Sequence, residues 1–151
     1  IYNIQTLIVR IFSAYGPGLK KQLFWDLHQK CQKSNRVELF GTGEETRDFI
    51  FIDDLVKALE LVMVNSLFEN DIINIGSGVD VSIKELTETI SKVVGFKGVI
   101  EWDVSKPDGS PRKLMDVSVI NKLGWQNQIS LEKGLEKTYS WFLKNEKSIR
   151  K

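Results

Sequence analysis

Leu7-Ile-Val-Arg-Ile-Phe12 is an almost unbroken apolar run, and it limits the possible folds more than any other stretch. A strand wetted on one face alternates apolar and polar residues. A run without alternation predicts a strand covered on both faces, the environment of a parallel sheet flanked by helices. The segments that follow supply such helices. Tyr15-Gly-Pro-Gly18 ends the run in a turn. Leu19, Leu23, Phe24, Leu27 and Cys31 then recur at helical spacing over Leu19 to Lys33. Val37 to Phe40 reads as a short strand ended by Gly41-Thr-Gly43, and Phe49 to Ile52 as another.

Asp53 or Asp54 is placed to cap the next helix, whose Leu55, Ala58, Leu59 and Val62 share a face. Ile72 to Ile75 is a strand ending at Gly76-Ser-Gly78. Ser82-Ile-Lys-Glu85 is a capping box, with Ile83, Leu86, Ile90 and Val93 as the buried stripe and Gly95 as the stop. Val99 to Trp102 is a strand, Lys106 to Pro111 a loop, and Val117 to Leu123 a short helix stopped by Gly124. A last helix starts near Ser130 and turns Leu131, Leu135, Tyr139 and Phe142 inward. Gly134 within it costs about 1 kcal/mol relative to alanine, which implies a close neighbour there. Strands alternating with helices predict an α/β fold with parallel pairing.

The 151 residues suffice for one domain with a core, and 42% hydrophobic with 27% charged residues is ordinary for a globular chain. A net charge of +1 gives no field that would draw the chain to nucleic acid or a membrane. No apolar run approaches the roughly 20 residues of a membrane span. Cys31 is the single cysteine, so no internal disulfide forms; that fits a reducing compartment, and a cytoplasmic location is the expectation. Ile1, rather than methionine, leads almost at once into a strand-like run. The expectation is therefore the C-terminal part of a longer protein.

Arg47 is the first candidate for chemistry. It follows Gly41-x-Gly43, which lets backbone approach a ligand closely, and precedes a strand that opens a helix. There a guanidinium can grip a phosphate with paired donors. It can equally be an arginine paired with Glu44, Glu45 or Asp48. Lys106-Pro-Asp-Gly-Ser-Pro-Arg-Lys113 is the second candidate, with three cations in a proline-stiffened loop. It reads as a solvated basic loop or, if it faces Arg47, as the other half of a diphosphate bracket, with Lys106 as a point charge and Arg112 as a fork. Gly16-Pro-Gly18, Gly41-Thr-Gly43 and Gly76-Ser-Gly78 lack the third glycine of a dinucleotide loop and read as turns. His28 lies beside the apolar stripe of its helix and reads as a surface histidine. One Cys and one His build no usual zinc site, and core packing explains most of Trp25, Trp102, Trp125 and Trp141.

Taken in order, Arg10-Ile-Phe-Ser-Ala-Tyr-Gly-Pro-Gly18, Phe40-Gly-Thr-Gly43, Arg47-Asp-Phe-Ile-Phe-Ile-Asp-Asp54 and Ile73-Asn-Ile-Gly76 resemble the C-terminal half of extended short-chain dehydrogenases. These are the NAD-dependent epimerases and dehydratases of nucleotide sugars. The last third, Trp102 to Asp116 with Leu123-Gly-Trp125, is most similar to their GDP-L-fucose synthase branch. The resemblance implies Rossmann-type sheet strands plus a small α/β substrate-binding domain, spanning residues 1–151. It implies that a nucleotide diphosphate sugar is the partner and NAD or NADP the cofactor. By the same resemblance Arg47 and Lys106 contact the diphosphate, with Arg112 beside them. Phe12 and Ser13, on the strand before Tyr-Gly-Pro, pass the nicotinamide and sugar; Ser13 stands where many members carry asparagine.

The family's chemistry uses a tyrosine followed four residues on by a lysine. Tyr2, Tyr15 and Tyr139 are followed at that spacing by Thr6, Leu19 and Leu143. The N-terminal G-x-x-G-x-x-G is also absent. The expectation is a substrate-clamping portion without turnover; a standalone nucleotide-binding or interaction module is the alternative, and a structural α/β domain a third. By resemblance, the Leu7 to Phe12 and Ile72 to Ile75 strands belong to a larger Rossmann sheet. Their edges predict a homo-oligomer or a self-associating fragment.

Overall fold

Thr46-Arg-Asp-Phe-Ile-Phe51 alternates so regularly that it gives one face to each of two apolar cores. The computed structural model describes residues 6–65 and 72–149, with side chains as far as residue 145; Tyr2 lies outside them. In chain order the elements are β1 (Ile8–Ile11), β2 (Ser13–Tyr15), α1 (Gln22–Lys33), β3 (Arg36–Phe40), β4 (Thr46–Phe51), α2 (Ile52–Val64) and β5 (Ile72–Ile75). Then come β6 (Asp80–Ser82), α3 (Ile83–Val94), β7 (Val99–Asp103), β8 (Arg112–Lys113), α4 (Ser118–Lys122) and α5 (Leu131–Ile149). The alternating α/β architecture is the expected one. Among the described residues no helix is long and apolar enough to cross a membrane.

Strand β4 organises the central sheet. It pairs in parallel with β2 and β8 and antiparallel with β6. Phe51 joins Tyr15, Phe24, Leu27, Leu135 and Phe142 in the first core, with Phe49 packed against it. Ile50, on the opposite face, joins Leu55, Ala58, Ile73, Ile75, Ile120 and Trp125 in the second. Fully burying such a side chain contributes about 1.5–3 kcal/mol, so β4 is held from both sides. Two smaller parallel pairs, β1 with β5 and β3 with β7, flank this sheet.

Several local expectations hold. The capping box is complete: Ser82 Oγ accepts from the Glu85 amide at 3.0 Å, and Glu85 Oε2 accepts from the Ser82 amide at 2.9 Å. Helix α3 ends at Gly95. Gly134 is tightly packed, since a Cβ added there would lie 2.1 Å from the Tyr15 hydroxyl.

Other expectations are corrected. The run from Leu7 is not covered on both faces: Leu7 and Val9 pack on the second core, whereas Ile8 and Ile11 are exposed in a strand that pairs only with β5. After Phe12, whose amide donates to Ile75 O at 3.2 Å, the chain passes to the central sheet as β2. Neither Asp53 nor Asp54 caps α2; its N-cap is Phe51, without a side-chain bond. Asp53 pairs with Lys137, whereas Asp54 turns inward. His28 is not a surface residue but buried, with the rings of Tyr139 and Phe142 centred 5.2 and 5.4 Å away. It follows Phe24 by one turn, and α5 lands on that flank of α1. Nothing local to α1 announces α5.

Candidate functional site

The spacing of two within β4 sorts its side chains. Arg47 and Phe49 share one face, and Asp48 lies on the other, fully buried. Arg47 forms no ion pair with Glu44, Glu45 or Asp48. Its Nη1 donates instead to Thr46 O at 2.6 Å and Ser110 O at 2.8 Å. A Cβ built on Gly109 would lie 2.9 Å from Arg47 Nη2, so the guanidinium lies against the loop between β7 and β8. The loop therefore does face Arg47.

Three further contacts fasten that loop. Asp108 accepts from the Thr42 amide at 2.6 Å and the Thr42 hydroxyl at 2.8 Å, and these bonds lower its pKa. The Thr46 amide donates to Pro111 O at 2.9 Å. Arg112 donates from Nε and Nη2 to both oxygens of Asp80, at 2.8 and 3.1 Å. The Arg112 bonds, with a further one from Thr46 Oγ1, hold the Asp80 carboxyl down at about 2. The fork of Arg112 is thus engaged within the fold, tying β8 to β6. Lys106, at the β7 end of the loop, places its ammonium 5.9 Å from the centre of the Phe40 ring. Pairing of β8 with β4 sets Lys113 in register with Arg47, so two cations stand side by side on neighbouring strands.

Next to Arg47 opens a cleft of about 240 Å³, lined by Phe49, Ser77, Val79, Val81, Asn127, Ile129 and Leu131. Val81 is the cross-strand partner of Arg47, and Ser13 is in register with Phe49. Phe12 approaches from beyond β1, its ring 3.6 Å from where a Gly76 Cβ would lie. Ser13 and Arg47 are thus strand neighbours of the lining residues Phe49 and Val81, whereas the middle of the 106–113 loop lines a separate hollow with Glu44 and Glu45. Such a slot, apolar along most of its walls, suits a molecule with a flat or apolar body.

Sequence reasoning missed the apolar walls, and counted Lys113 among the three cations of its loop without giving it a role. Phe49 was detectable, since it follows Arg47 by two residues in a strand. Asn127 and Ile129 carried no local signal, because only the fold brings them opposite Ser77 and Val79. Among the described residues no group of three His, Cys, Asp or Glu side chains could hold a metal. Tyr15 donates to Leu131 O at 3.2 Å, and burial, aided by the nearby Asp54, keeps its hydroxyl protonated well above the ordinary tyrosine range. Its hydroxyl thus meets the first residue of α5. Gly76-Ser77-Gly78 is bound to Asp48 and leads into a strand.

Residues 1–76 match the model of the NAD dependent epimerase/dehydratase family. The chain belongs to that family. Among other members, it is 49% identical over 117 residues to a putative GDP-L-fucose synthase 2 of Arabidopsis thaliana, covering 77% of this chain and 35% of that protein. It is 44% identical over 128 residues to the GDP-L-fucose synthase of Escherichia coli K12, covering 80% and 40%. This epimerase-family chain thus spans well under half the length of either relative. The fold agrees: the GDP-mannoheptose C4 reductase of Campylobacter jejuni, solved with NADP bound, superposes with a TM-score of 0.80 at 31% identity, covering 94% of this chain and 51% of that one.

Proposed function

We propose that this chain is the nucleotide-sugar-binding portion of an NAD(P)-dependent epimerase, dehydratase or reductase, and that the Arg47 cleft receives the substrate. The observation that carries the reading is the pairing of Arg47 and Lys113 in register beside a slot walled by Phe49, Val79 and Val81. The guanidinium is oriented by two main-chain carbonyls and grips the diphosphate, while the slot takes the apolar faces of the nucleoside. Lys106, on an exposed loop end, adds a point charge to the diphosphate when it leaves Phe40. Arg112 acts through Asp80 to hold the loop in place. Phe12 and Ser13 flank the sugar and the nicotinamide.

The nicotinamide cofactor would supply hydride chemistry when bound; these residues bind and orient the substrate. The 151 residues contain no Tyr-x-x-x-Lys pair, so the proton-transferring groups are contributed by another segment. The same absence supports the second reading, a nucleotide-binding module without catalysis.

Calorimetric titration with GDP- and UDP-sugars tests this. Arg47→Ala is expected to weaken binding about tenfold or more, the loss of a charge-assisted bidentate contact. Unchanged affinity in that variant overturns the clamp. Epimerisation of a nucleotide sugar by the 151-residue chain alone, at enzyme-like rates, overturns the assignment of a purely binding role.

A further inference from the structure

Asp48 and Asp54 are the two buried carboxylates of the described residues, 0% and 1% exposed, and neither forms an ion pair there. A carboxylate is costly to bury unless donors meet its oxygens, so the donors reveal what each group holds. Asp48 Oδ1 accepts from the Ser77 amide at 2.9 Å and the Ser77 hydroxyl at 2.6 Å, and its Oδ2 from the Gly78 amide at 3.0 Å. Asp54 Oδ2 accepts from the Gln128 amide at 3.0 Å and the Ile129 amide at 2.8 Å. These amides belong to two segments far apart in sequence. One carries Ser77 and Val79, the other Asn127 and Ile129, and both line the cleft. Gly76 fits the first arrangement closely, since a Cβ there would fall 2.4 Å from Asp48 Oδ2.

We infer that Asp48 and Asp54 are positioning residues of the cleft: each holds one wall by its backbone amides, and together they set the width of the slot that Phe49 floors between them. This rests on the reading of the cleft as the ligand site. Both acids act without touching the ligand. Their atoms differ in a way that can be tested. Asp54 uses one oxygen for both amides, so a carboxamide can replace it. Asp48 uses both oxygens, so a carboxamide would turn an NH₂ group toward a donor.

The experiment compares wild type, Asp48→Asn, Asp54→Asn and Asp54→Ala by titration with GDP and UDP, well below the melting temperature, and by amide hydrogen exchange. Asp48→Asn and Asp54→Ala are expected to weaken binding about tenfold, while Asp54→Asn stays within about threefold of wild type. Exchange should quicken at Ser77 and Gly78 in the first and at Gln128 and Ile129 in Asp54→Ala. A folded Asp48→Asn or Asp54→Ala with wild-type affinity, or exchange quickened evenly along the chain, overturns the inference. If Asp48→Asn does not fold, the two Asp54 variants decide it. If wild type binds neither nucleotide, the ligand reading fails by itself, and the exchange pattern still decides whether each acid holds its own wall.

Discussion

Arg47 and Gly134 show how much a single residue announces. The place of Arg47 between a glycine turn and a strand was legible, because all its signals lie within a few positions of each other. That its Nη1 is held by Ser110 O was not legible, since the partner comes from a remote loop. Arg112 likewise read as a phosphate fork, yet it grips Asp80 across the sheet. His28 read as exposed because the helix that buries it follows more than a hundred residues later. For Gly134 the close neighbour is now identified as Tyr15, with Phe51 behind it. Gly134→Ala gains helix propensity of about 1 kcal/mol, but the new methyl overlaps the Tyr15 hydroxyl. Overpacking of this kind costs about 1–3 kcal/mol. A net loss of stability in chemical denaturation is expected, partly recovered when Tyr15→Phe removes the nearest atom. A variant at least as stable as wild type would mean that the helix shifts freely.

Among the elements, those written in local sequence were the ones found. Helix α3, with its capping box and terminal glycine, contains all its signals. Strands β6 and β8, three and two residues long, exist only because β4 pairs with them, and no local pattern marks them. The tie between these two strands is electrostatic, which gives it a pH dependence. The Asp80 carboxyl titrates at about 2 in the folded chain against 3.8 ordinarily. Its stabilisation is complete above the ordinary value and is lost as pH falls through the folded one. Melting temperatures measured from pH 5 to pH 2 should therefore fall less steeply for Asp80→Asn than for wild type. Parallel curves would show that the Arg112–Asp80 tie contributes nothing to the fold.

For the whole molecule, α/β alternation was readable from periodicity, but the division of the chain between two cores was not. It depends on which face of β4 each residue takes once β2, β6 and β8 are paired. The same view locates the weakest surface: Ile8, Ile11 and Ile72, on the small β1–β5 sheet, are 60%, 45% and 37% exposed. Exposed apolar side chains on open strand edges favour pairing with another chain. Small-angle scattering on the 151-residue chain should show a species larger than the monomer, at a concentration-dependent fraction. A monodisperse monomer would count against this. The shared strand has a consequence of another kind. Because β4 is a wall of both cores, neither can melt while the other keeps its native boundary, so the described chain unfolds as one cooperative unit. Damage to the second core, at Ile73 for instance, is then felt in the cleft on the far face, and local breathing of that cleft is damped by the stability of the whole.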